Sequence, residues 1–379
     1  MLVKPQSTNF AKIKVVGVGG AGGNAINNMI KNYDIEGVEF IAVNTDAQVL
    51  ATNSAEIKLR IGEEITRGLG SGGNPQIGKK AAEESVDLLH EHLAGADMVF
   101  ITAGMGGGTG TGASPIIAGI AKNLGALTIA IVEKPFNFEG RRRMETALQG
   151  IADIKDKVDT MIVVPNQKLL DVIERNISFM EAMKKVDDVL AMAVKSISEL
   201  ITQGGMINVD FADIKSIMLN AGTALMGMGT ASGEDRAKEA TKAAMESPLL
   251  EASIDGATGV LFNVIGGEDL AMFEIDEIAR MISEAVHPEA NVFFGANVDP
   301  DMEEQLQVTV LATGFDTDNQ GVPVPSSNYT FNTPSTEEDE IEPPNRPEAR
   351  QRTGLFSDDS DESDDDLDTP SFLRRKKEY

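Results

Sequence analysis

Two glycine-rich runs carry the clearest chemistry in this sequence, and each follows a short apolar segment. The first spans residues 17–24 (GVGGAGGN) and the second spans residues 104–112 (GMGGGTGTG). Glycines let backbone N–H groups approach a phosphate closely, and the N-terminus of a following helix favours an anion. Both runs therefore predict phosphate binding, and Thr109 and Thr111 add hydroxyl donors to the second.

The two runs differ in how specific they are. Residues 17–22 fit the G-x-G-x-x-G fingerprint, which a nicotinamide or flavin enzyme, a mononucleotide binder or a tight structural turn could all use. Residues 106–112 hold five glycines, which are costly in chain entropy wherever the backbone is ordered. A dinucleotide fold needs one such run, whereas this chain has two at successive strand ends. The pair therefore predicts a nucleotide with several phosphates.

A third segment only approaches a phosphate-binding motif. Residues 73–80 (GNPQIGKK) resemble the P-loop pattern, but Lys80 stands where a Ser or Thr would hold Mg²⁺, and no convincing strand precedes the segment. We therefore reject a Walker-type ATPase. Lys79 and Lys80 are predicted to lie on a solvated helix face.

Polar side chains near the ends of two other strands could bind sugar or phosphate. Asp46, which follows Asn44, could hold a ribose hydroxyl in a dinucleotide enzyme or lie near a phosphate-bound cation or sugar in a mononucleotide site. After the strand at 127–132, Glu139 can accept hydrogen bonds from ribose hydroxyls while Arg143 meets phosphate or sugar. Residues 141–143 could equally be the solvated start of a helix.

Two further side chains could recognise a base. Asn166 ends a predicted strand and could bond a base edge, and Asp187 lies on a long apolar helix. A carboxylate can accept from both N1–H and N2–H of guanine, whereas adenine offers no such donor pair. The alternative is that Asp187 lies on an exposed turn of that helix.

A pair of carboxylates opens the helix that follows. In residues 208–214 (NVDFADI), Asp210 and Asp213 are three positions apart and are predicted to share one face. They could cap the helix and offset its dipole, which is the commoner role, or they could polarise a water that attacks a phosphorus.

The elements that must position these residues alternate between short Val- and Ile-rich runs and helix-length segments, which predicts a parallel sheet covered by helices on both faces. The predicted strands are 13–18, 40–43, 98–102, 127–132 and 161–164, with helices at 25–31, 75–93 and from near Ser114 and Pro115 to 124. A helix at 177–202 is apolar over so much of its circumference that it should be buried between layers. Beyond it, helices at 212–219, 234–245 and 269–285 and strands at 224–230, 260–265, 292–294 and 307–313 predict an α+β or α/β domain.

Composition limits the class of protein. The 379 residues carry 33 basic and 60 acidic side chains, a net charge of −27, which disfavours binding to nucleic acid or to an anionic membrane. There is no Cys or Trp and only three His, which excludes disulfides and disfavours a histidine metal site. No run of 18 apolar residues and no apolar signal-peptide core occurs, so the expectation is a cytoplasmic protein without direct membrane insertion.

After Phe315 the composition changes. Residues 316–379 hold 17 acidic and 7 basic residues with much Pro, Ser, Asn and Thr, and such a segment cannot bury enough apolar surface to order itself. The last residues, 367–379, combine Phe372 and Leu373 with four basic residues and suggest a docking peptide, although a solubilising tail would look similar.

These motifs together resemble the FtsZ family, the bacterial tubulin-like cell-division GTPases. The resemblance rests on residues 106–112 (GGGTGTG), 17–24, 44–46 (NTD), 135–139 (PFNFE) and 208–213 (NVDFAD), in continuous order over about residues 11–315, and on the tail peptide 368–375 (DTPSFLRR). It implies a tubulin/FtsZ-type parallel-sheet nucleotide-binding domain, a central buried helix, a second α+β domain and a disordered C-terminal tail. The implied boundaries are 1–10 for a flexible N-terminus, 11–176, 177–203, 204–315, 316–366 for the linker and 367–379 for the docking peptide.

The resemblance also implies a function and a site. The expected activity is GTP hydrolysis, with Mg²⁺, activated by head-to-tail self-assembly into filaments of a division ring at midcell, and the peptide 367–379 would bind a membrane adaptor and other division proteins. Asn208, Asp210 and Asp213 would act on the neighbouring subunit's nucleotide, and no side chain is assigned as a metal ligand. The implied nucleotide-binding residues are Gly19, Gly20, Ala21, Gly22, Gly23, Asn24, Asn44, Asp46, Gly72, Gly106, Gly107, Gly108, Thr109, Gly110, Glu139, Arg143, Asn166 and Asp187.

The sequence departs from the family pattern at a few positions, and two other functions stay open. Ala21 stands among glycines, and Asp188 follows Asp187 where an Asn commonly sits. A nicotinamide-dependent oxidoreductase would explain residues 17–22 and Asp46 but not residues 106–112. A regulatory GTP-binding protein that never polymerises is the other alternative.

Overall fold

The computed structural model describes residues 11–33, 35–172, 177–202, 206–247, 250 and 253–315. The predictions for the N-terminus (1–10), the acidic linker (316–366) and the terminal peptide (367–379) lie outside these residues and stay predictions.

The strands of the described residues form one ten-stranded sheet, in the order β3-β2-β1-β4-β5-β6-β7-β10-β8-β9. All neighbours pair in parallel except those of β10, which is antiparallel to both β7 and β8. The strands are β1 (Ile13–Val18), β2 (Val38–Asn44), β3 (Ile57–Arg60), β4 (Met98–Gly104), β5 (Leu127–Lys134), β6 (Thr160–Pro165), β7 (Gly222–Ser232), β8 (Gly259–Gly266), β9 (Asn291–Val298) and β10 (Gln305–Thr313).

Helices connect these strands and cover the sheet. They are α1 (Gly19–Asn28), α2 (Ala47–Ala51), α3 (Glu63–Thr66), α4 (Pro75–Glu84), α5 (Val86–Leu93), α6 (Thr109–Asn123), α7 (Arg141–Lys155), α8 (Asn166–Val172), α9 (Phe179–Thr202), α10 (Phe211–Met218), α11 (Arg236–Met245) and α12 (Met272–Ala285). A π-helical turn (Met29–Tyr33) and two 3₁₀ turns (Asn137–Glu139 and Pro300–Met302) complete the elements. Among the described residues, no helix has the length and apolar character needed to cross a bilayer.

The N-terminal part of the sheet is buried on both faces, as its apolar strands predict. Along β4, Phe100 packs with α1 and α9, whereas its neighbours Val99 and Ile101 pack on the opposite face with α4, α5 and α6. A strand buried on both sides must be apolar at every position, which is why these strands read as continuous apolar runs rather than as alternating ones. The predicted parallel α/β domain is confirmed.

The C-terminal part of the sheet is mixed, because β10 enters antiparallel between β7 and β8. Its own core packs α11 and α12 against these strands, with Phe262 fully buried at the centre and stacked on Phe294 at 5.4 Å between ring centroids. The predicted second α+β domain is confirmed.

The long helix α9 is the central element between these two parts. Its 24 residues span about 36 Å at roughly 1.5 Å per residue. Leu190, Val194 and Ile197 lie in the same core cluster as strand residues of both parts of the sheet. The predicted central buried helix is confirmed. As a rigid element, it sets the distance between the residues at its two ends.

Three local predictions were wrong, and one strand was not predicted. The predicted helix at 75–93 is two helices, α4 and α5, separated at Ser85. Helix α1 begins at Gly19 rather than Ala25, and α6 begins at Thr109 rather than near Pro115. Sequence rules place glycine outside a helix and proline at its first turn, but tight packing of the first turns overrides both preferences here. Strand β3 was not predicted, since its four residues alternate apolar and basic side chains.

A buried arginine joins three elements of the C-terminal part. Arg236, at the start of α11, donates to both carboxylate oxygens of Glu274 on α12 at 2.6 and 3.0 Å, to Asp269 at 2.8 Å and to the carbonyl of Glu304 at 2.9 Å. Burial alone would raise the pKa of Glu274, but the hydrogen bonds from Arg236 and from the N–H of Ala271, together with the charge of Arg236, outweigh it and the pKa is lowered. The bidentate pair therefore keeps a buried carboxylate ionised.

Replacing Arg236→Ala should destabilise the fold by about 3–5 kcal/mol, because it leaves Glu274 buried and unpaired. Chemical denaturation monitored by circular dichroism measures the loss. The control is Lys242→Ala on the same helix, whose pair with Glu246 is exposed and long, at 4.0 Å. That variant should lose less than about 1 kcal/mol, and equal losses for the two variants would contradict this account of the arginine.

Candidate functional site

Two helix N-termini converge at the carboxyl edge of the sheet. Strands β1 and β4 are parallel neighbours, with Val18 opposite Ala103. Helix α1 begins directly after β1, and α6 begins a few residues after β4. A Cβ built on Gly19 would lie 2.8 Å from the backbone nitrogen of Gly110, so the two helix starts are in contact. The N–H groups and the dipoles of two helix N-termini suit this edge to binding a phosphate.

The glycines at this edge fall into two groups. Gly106 has φ +98°, and a Cβ on Gly108 would lie 2.2 Å from the Ser71 hydroxyl, so chain geometry and packing require both. By contrast, a Cβ on Gly20 or Gly107 would meet no atom within 4 Å. The local fold does not require glycine at these two positions, and the open space they leave is a cradle that a ligand could occupy.

The loops after β2 and β3 close one side of this edge. The Thr109 hydroxyl lies 2.7 Å from that of Thr45 and 3.0 Å from that of Ser71, which precedes Gly72. A Cβ on Gly72 would meet no atom within 4 Å, but its φ of +59° already favours glycine. These bonds fix the first residue of α6 relative to the neighbouring loops.

Asp46 has a structural task at this edge. Its Oδ1 accepts from the backbone N–H groups of Gln48 and Val49, so it caps α2, and its own N–H donates to Oδ1 of Asn44 at 3.2 Å. The carboxylate is thus held at the start of α2, whereas the sequence predicted a contact to sugar or to a phosphate-bound cation. The cap accounts for its position without requiring either contact.

A cavity of 180 Å³ lies next to the cradle, towards α9. It is lined by residues from five separate parts of the chain. Six of the lining residues were predicted from the sequence to bind nucleotide: Ala21, Asn24, Glu139, Arg143, Asn166 and Asp187. The predicted base- and sugar-binding residues therefore share one cavity although up to 166 positions separate them along the chain. Glu133, Phe136 and Met183 also line it and were not predicted.

Glu139 and Arg143 form a pair on the rim of the cavity. Oε2 of Glu139 lies 3.1 Å from Nε of Arg143, and Oε1 accepts from the N–H of Phe136 at 2.9 Å. Arg141 instead is fully solvated and pairs with Glu145. The sequence left open whether residues 141–143 bind ligand or begin a solvated helix, and the structure divides them: Arg141 begins α7 in solvent and Arg143 faces the cavity.

Glu133 is the acid that the sequence did not single out. It ends an apolar run on β5, and its side chain is buried beside Asn166, whose amide nitrogen donates to Oε2 at 3.2 Å. Oε1 of Glu133 and Oδ1 of Asn166 are buried without a partner among the described residues. Burial raises the pKa of Glu133 to about 7, the bond from Asn166 opposes this rise, and the charges of Asp187 and Glu139 add to it. An ionisable residue inside a continuous apolar strand was the available signal.

The two aspartates of α9 serve different purposes. Asp187 lines the cavity, where burial first and the charge of Asp188 second raise its pKa to about 7. Asp188 faces away and accepts from Nδ2 of Asn28 at 3.0 Å. Burial and the hydrogen bond with Asp188 also raise the pKa of Tyr33 well above its ordinary value. Asp188 therefore holds α9 against the segment that follows α1, and Asp187 is left to face a ligand.

The remaining predicted residues are not near this cavity. Asn208, Asp210 and Asp213 follow the other end of α9, and the 15 positions from Asp187 to Thr202 alone span about 22 Å of helix. Asp210 occupies the N-cap position of α10 without a side-chain capping bond, and Asp213 lies in its first turn. Both residues thus occupy positions typical of helix capping, but the Asp210 carboxylate makes no capping hydrogen bond and is exposed to solvent.

A larger groove of 570 Å³ lies between α4, α6 and α7. It contacts Thr111 and Gly112 but contains none of the predicted base-binding residues. Lys79, on its edge, is exposed together with Lys80 on α4, as predicted for a solvated helix face. The smaller cavity has the convergent polar groups of a specific site and is the better candidate.

A metal site made by protein side chains alone is not found. Among the described residues, no three His, Asp or Glu side chains group closely enough to hold an ion. The sequence assigned no metal ligand either, and a nucleotide-bound Mg²⁺ takes most of its ligands from phosphates and water.

Comparison with known proteins agrees with this geometry. Residues 12–174 match the Tubulin/FtsZ family, GTPase domain, and residues 222–316 match the FtsZ family, C-terminal domain. An FtsZ dimer from M. jannaschii is 47% identical with a TM-score of 0.78, over 81% of this chain and 89% of that chain. The GDP-bound CetZ1 monomer from Haloferax volcanii shares the fold at 21% identity and a TM-score of 0.69, over 82% of this chain and 96% of that one. None of these similarities supports the oxidoreductase alternative.

The buried acids predict how stability depends on pH. Glu133 has a pKa of about 7 in the folded state against 4.5 ordinarily, so the folded protein holds the proton more tightly. The contribution of protonated Glu133 to the stability of the fold is fully present below pH 4.5 and is lost as the pH rises to about 7. The free energy of unfolding should therefore fall by up to about 3 kcal/mol between these pH values. Glu133→Gln should remove this loss and stabilise the nucleotide-free protein at about pH 8.

Denaturation of nucleotide-free protein across this pH range measures the effect. The matched control is Glu145→Gln, which neutralises an exposed carboxylate on α7 and should leave the pH dependence of the wild type unchanged. If Glu133→Gln and Glu145→Gln show the same slope, Glu133 is not the group that titrates.

Proposed function

The chain belongs to the FtsZ family of tubulin-like GTPases, and from this membership we propose that it binds GTP and hydrolyses it between subunits of a head-to-tail filament. The observation that carries the proposal is the separation of recognition and reaction groups along α9. Asp187 lines the nucleotide cavity near one end, and Asp210 and Asp213 follow the other end. Because a helix is rigid, one subunit cannot bring both groups to one nucleotide.

The ligand that suits the cavity is a guanine nucleotide. Its phosphates would lie at the N-termini of α1 and α6, over the open positions at Gly20 and Gly107. Its base would lie in the cavity between Asn166 and Asp187. Ionised Asp187 accepts two hydrogen bonds, which suits the N1–H and N2–H pair of guanine and not the edge of adenine. Glu139 would accept from the ribose, and Arg143 would face sugar or phosphate.

The reaction groups would come from the next subunit. Asn208 and Asp210 are exposed and Asp213 is half-buried, so a second subunit that docks there can reach them. Either carboxylate could polarise a water for attack on the terminal phosphorus. Holding water, carboxylate and phosphate in place can supply several kcal/mol of rate acceleration, on the order of 7 kcal/mol or more in favourable cases. Hydrolysis would thus depend on assembly.

Exposed apolar side chains next to the cavity support self-association. Phe138 stacks on cavity-lining Phe136 at 5.0 Å and meets the edge of Phe179 at 6.4 Å. Phe138, Phe179 and Met180 are 65%, 64% and 76% exposed, so one apolar patch adjoins the cavity. Such a patch is typical of a protein contact surface.

A second set of exposed apolar side chains lies at the carboxyl end of β8 and β9. Met206 donates its N–H to Ala296 of β9, and Met272 and Phe273 begin the helix that follows β8. Met206, Met272 and Phe273 are 70%, 73% and 68% exposed. Met206 precedes Asp210 closely, so an apolar surface accompanies the carboxylates as well. The similar M. jannaschii protein is described as a dimer, which also favours self-association.

The wider role follows from the family. The filaments would form the division ring at midcell in the cytoplasm, and loss of the terminal phosphate would weaken the contact between subunits and allow turnover. The 51 residues of the acidic linker would reach about 40 Å as a flexible chain. This tether would let the peptide 367–379 bind a membrane adaptor and other division proteins. We do not expect the chain to bind nucleic acid or to insert directly into a membrane.

Asp213→Ala should keep GTP binding, lose most GTP hydrolysis and form longer-lived polymers. Gly20→Val should fill the phosphate cradle and abolish GTP binding without disturbing the fold, because no atom lies within 4 Å of its Cβ position. Each variant alone should hydrolyse GTP slowly at most. Mixing them should restore activity, since a Gly20→Val subunit supplies Asp213 to the nucleotide of its Asp213→Ala neighbour.

Phosphate release measured against total protein concentration tests this. For the wild type the rate per subunit should rise sharply above a threshold concentration. The matched control is Asp87→Ala, an aspartate in the first turn of α5, which has eight residues like α10. It should behave as wild type. A rate per subunit that is constant at all concentrations, or a mixture no more active than its components, would refute shared catalysis.

A further inference from the structure

One buried acid of the nucleotide cavity has no task in the proposed function. Glu133, at the carboxyl end of β5, is 6% exposed, and Asn166, which follows β6, is 4% exposed. Glu133 is opposite Val164 in the sheet, and Asn166 follows Val164 by two positions, so the two residues lie near each other at the ends of neighbouring strands. We propose that Glu133 is a positioning residue for base recognition: its carboxylate holds the amide nitrogen of Asn166 and so turns the amide oxygen towards the base. This inference rests on the proposed binding of guanine nucleotides.

The contact between the two side chains is direct. Nδ2 of Asn166 donates to Oε2 of Glu133 at 3.2 Å, and Oδ1 of Asn166 has no partner among the described residues. Both side chains line the cavity. An acceptor that is buried, unpaired and next to a cavity is costly unless a ligand donates to it. Oδ1 of Asn166 is therefore a vacant acceptor for a donor on the ligand.

The orientation of an amide depends on its neighbour. A side-chain amide has an acceptor oxygen and a donor nitrogen, and rotation by 180° exchanges them. An ionised carboxylate only accepts, so it must face the nitrogen, and the oxygen is then directed to the other side. A protonated carboxyl can donate as well as accept, so it tolerates either orientation. The charge on Glu133 therefore selects which atom of Asn166 a ligand meets.

Guanine supplies the donor that this arrangement needs. Its 2-amino group has two hydrogens, of which one can bond to Asp187 together with N1–H, and the other can bond to Oδ1 of Asn166. Hypoxanthine, the base of ITP, keeps N1–H but lacks the 2-amino group. A correctly oriented Asn166 therefore distinguishes GTP from ITP, and a freely rotating one does so less well.

The charges around Glu133 set the pH range of this effect. Asp187 on α9 and Glu139 after β5 add negative charge, and Arg143 on α7 pairs with Glu139. Asp188 is directed away, to Asn28. The pKa of Glu133 is about 7, so the carboxylate orients Asn166 above that pH and loses this constraint below it. Asp187 titrates in the same range, so pH alone does not separate the two groups and a variant is required.

The test measures the affinity ratio of GTP to ITP by competition against a fluorescent guanine nucleotide, with the full chain kept dilute so that it does not assemble. The variants are Glu133→Gln, Asn166→Ala and the double variant. At about pH 8.5, wild type should prefer GTP by about tenfold for each of the two hydrogen bonds that the 2-amino group makes, one to Asp187 and one to Asn166, and Asn166→Ala should keep only the share of Asp187. Glu133→Gln should lower the ratio towards that of Asn166→Ala, because a neutral amide can pair with either end of Asn166.

Two comparisons complete the test. The double variant should show the same ratio as Asn166→Ala alone, since Glu133 acts only through Asn166. Between about pH 8.5 and pH 5.5, the ratio of wild type should fall more than that of Glu133→Gln, and the difference belongs to Glu133. A purely structural role would instead weaken GTP and ITP equally and leave the ratio unchanged.

The outcomes distinguish this inference from the function on which it rests. A Glu133→Gln protein that keeps the wild-type ratio at about pH 8.5, or a double variant that discriminates less than Asn166→Ala, overturns the positioning role while GTP binding stands. A wild-type protein that binds neither GTP nor ITP overturns the proposed function itself, and the positioning role with it.

Discussion

The rigidity of α9 is the constraint on which the functional arrangement depends. The helix is buried between the two parts of the sheet, with Leu190 and Val194 in the core, so it can neither bend nor slide cheaply. It holds Asp187 in the nucleotide cavity and leaves Asp210 and Asp213 beyond its far end. A single subunit therefore has recognition at one end and candidate reaction groups at the other. Self-association is the simplest way to join them.

The second feature is that the cavity concentrates hydrogen-bond acceptors, which suits a ligand that carries several hydrogen-bond donors. Burial raises the pKa of Glu133 and of Asp187, and Oε1 of Glu133 and Oδ1 of Asn166 have no partner among the described residues. By contrast, the buried Glu274 has Arg236 and stays ionised. The two sets of buried carboxylates therefore have opposite effects. Glu274, paired with Arg236, stabilises the C-terminal part, whereas ionised Glu133 and Asp187 lower the stability of the ligand-free protein.

Much of this was accessible from the sequence because the relevant signals are local. Apolar strands buried on both faces, the long apolar helix and the two glycine runs are properties of consecutive residues, and they predicted the fold class and the phosphate edge. The helix starts at Gly19 and Thr109 were missed because packing of the first turns outweighs the low helix propensity of glycine. Glu133 was missed because a single acidic residue near the end of an apolar strand is a weak signal. Its role also depends on a contact with Asn166, which lies 33 positions further along the chain.

The sequence by itself determined which residue types could bind a nucleotide and the order in which they occur, since composition and short spacing survive without a fold. Tertiary structure decided which of them meet. It separated cavity-lining Asp187 from Asp188 and cavity-lining Arg143 from Arg141. It also left open space beside Gly107 but none beside Gly108, although each pair is adjacent or nearly so in the chain. The physical reason is that neighbours on a helix or strand point in different directions, and only the packing of other elements fixes which direction faces the cavity.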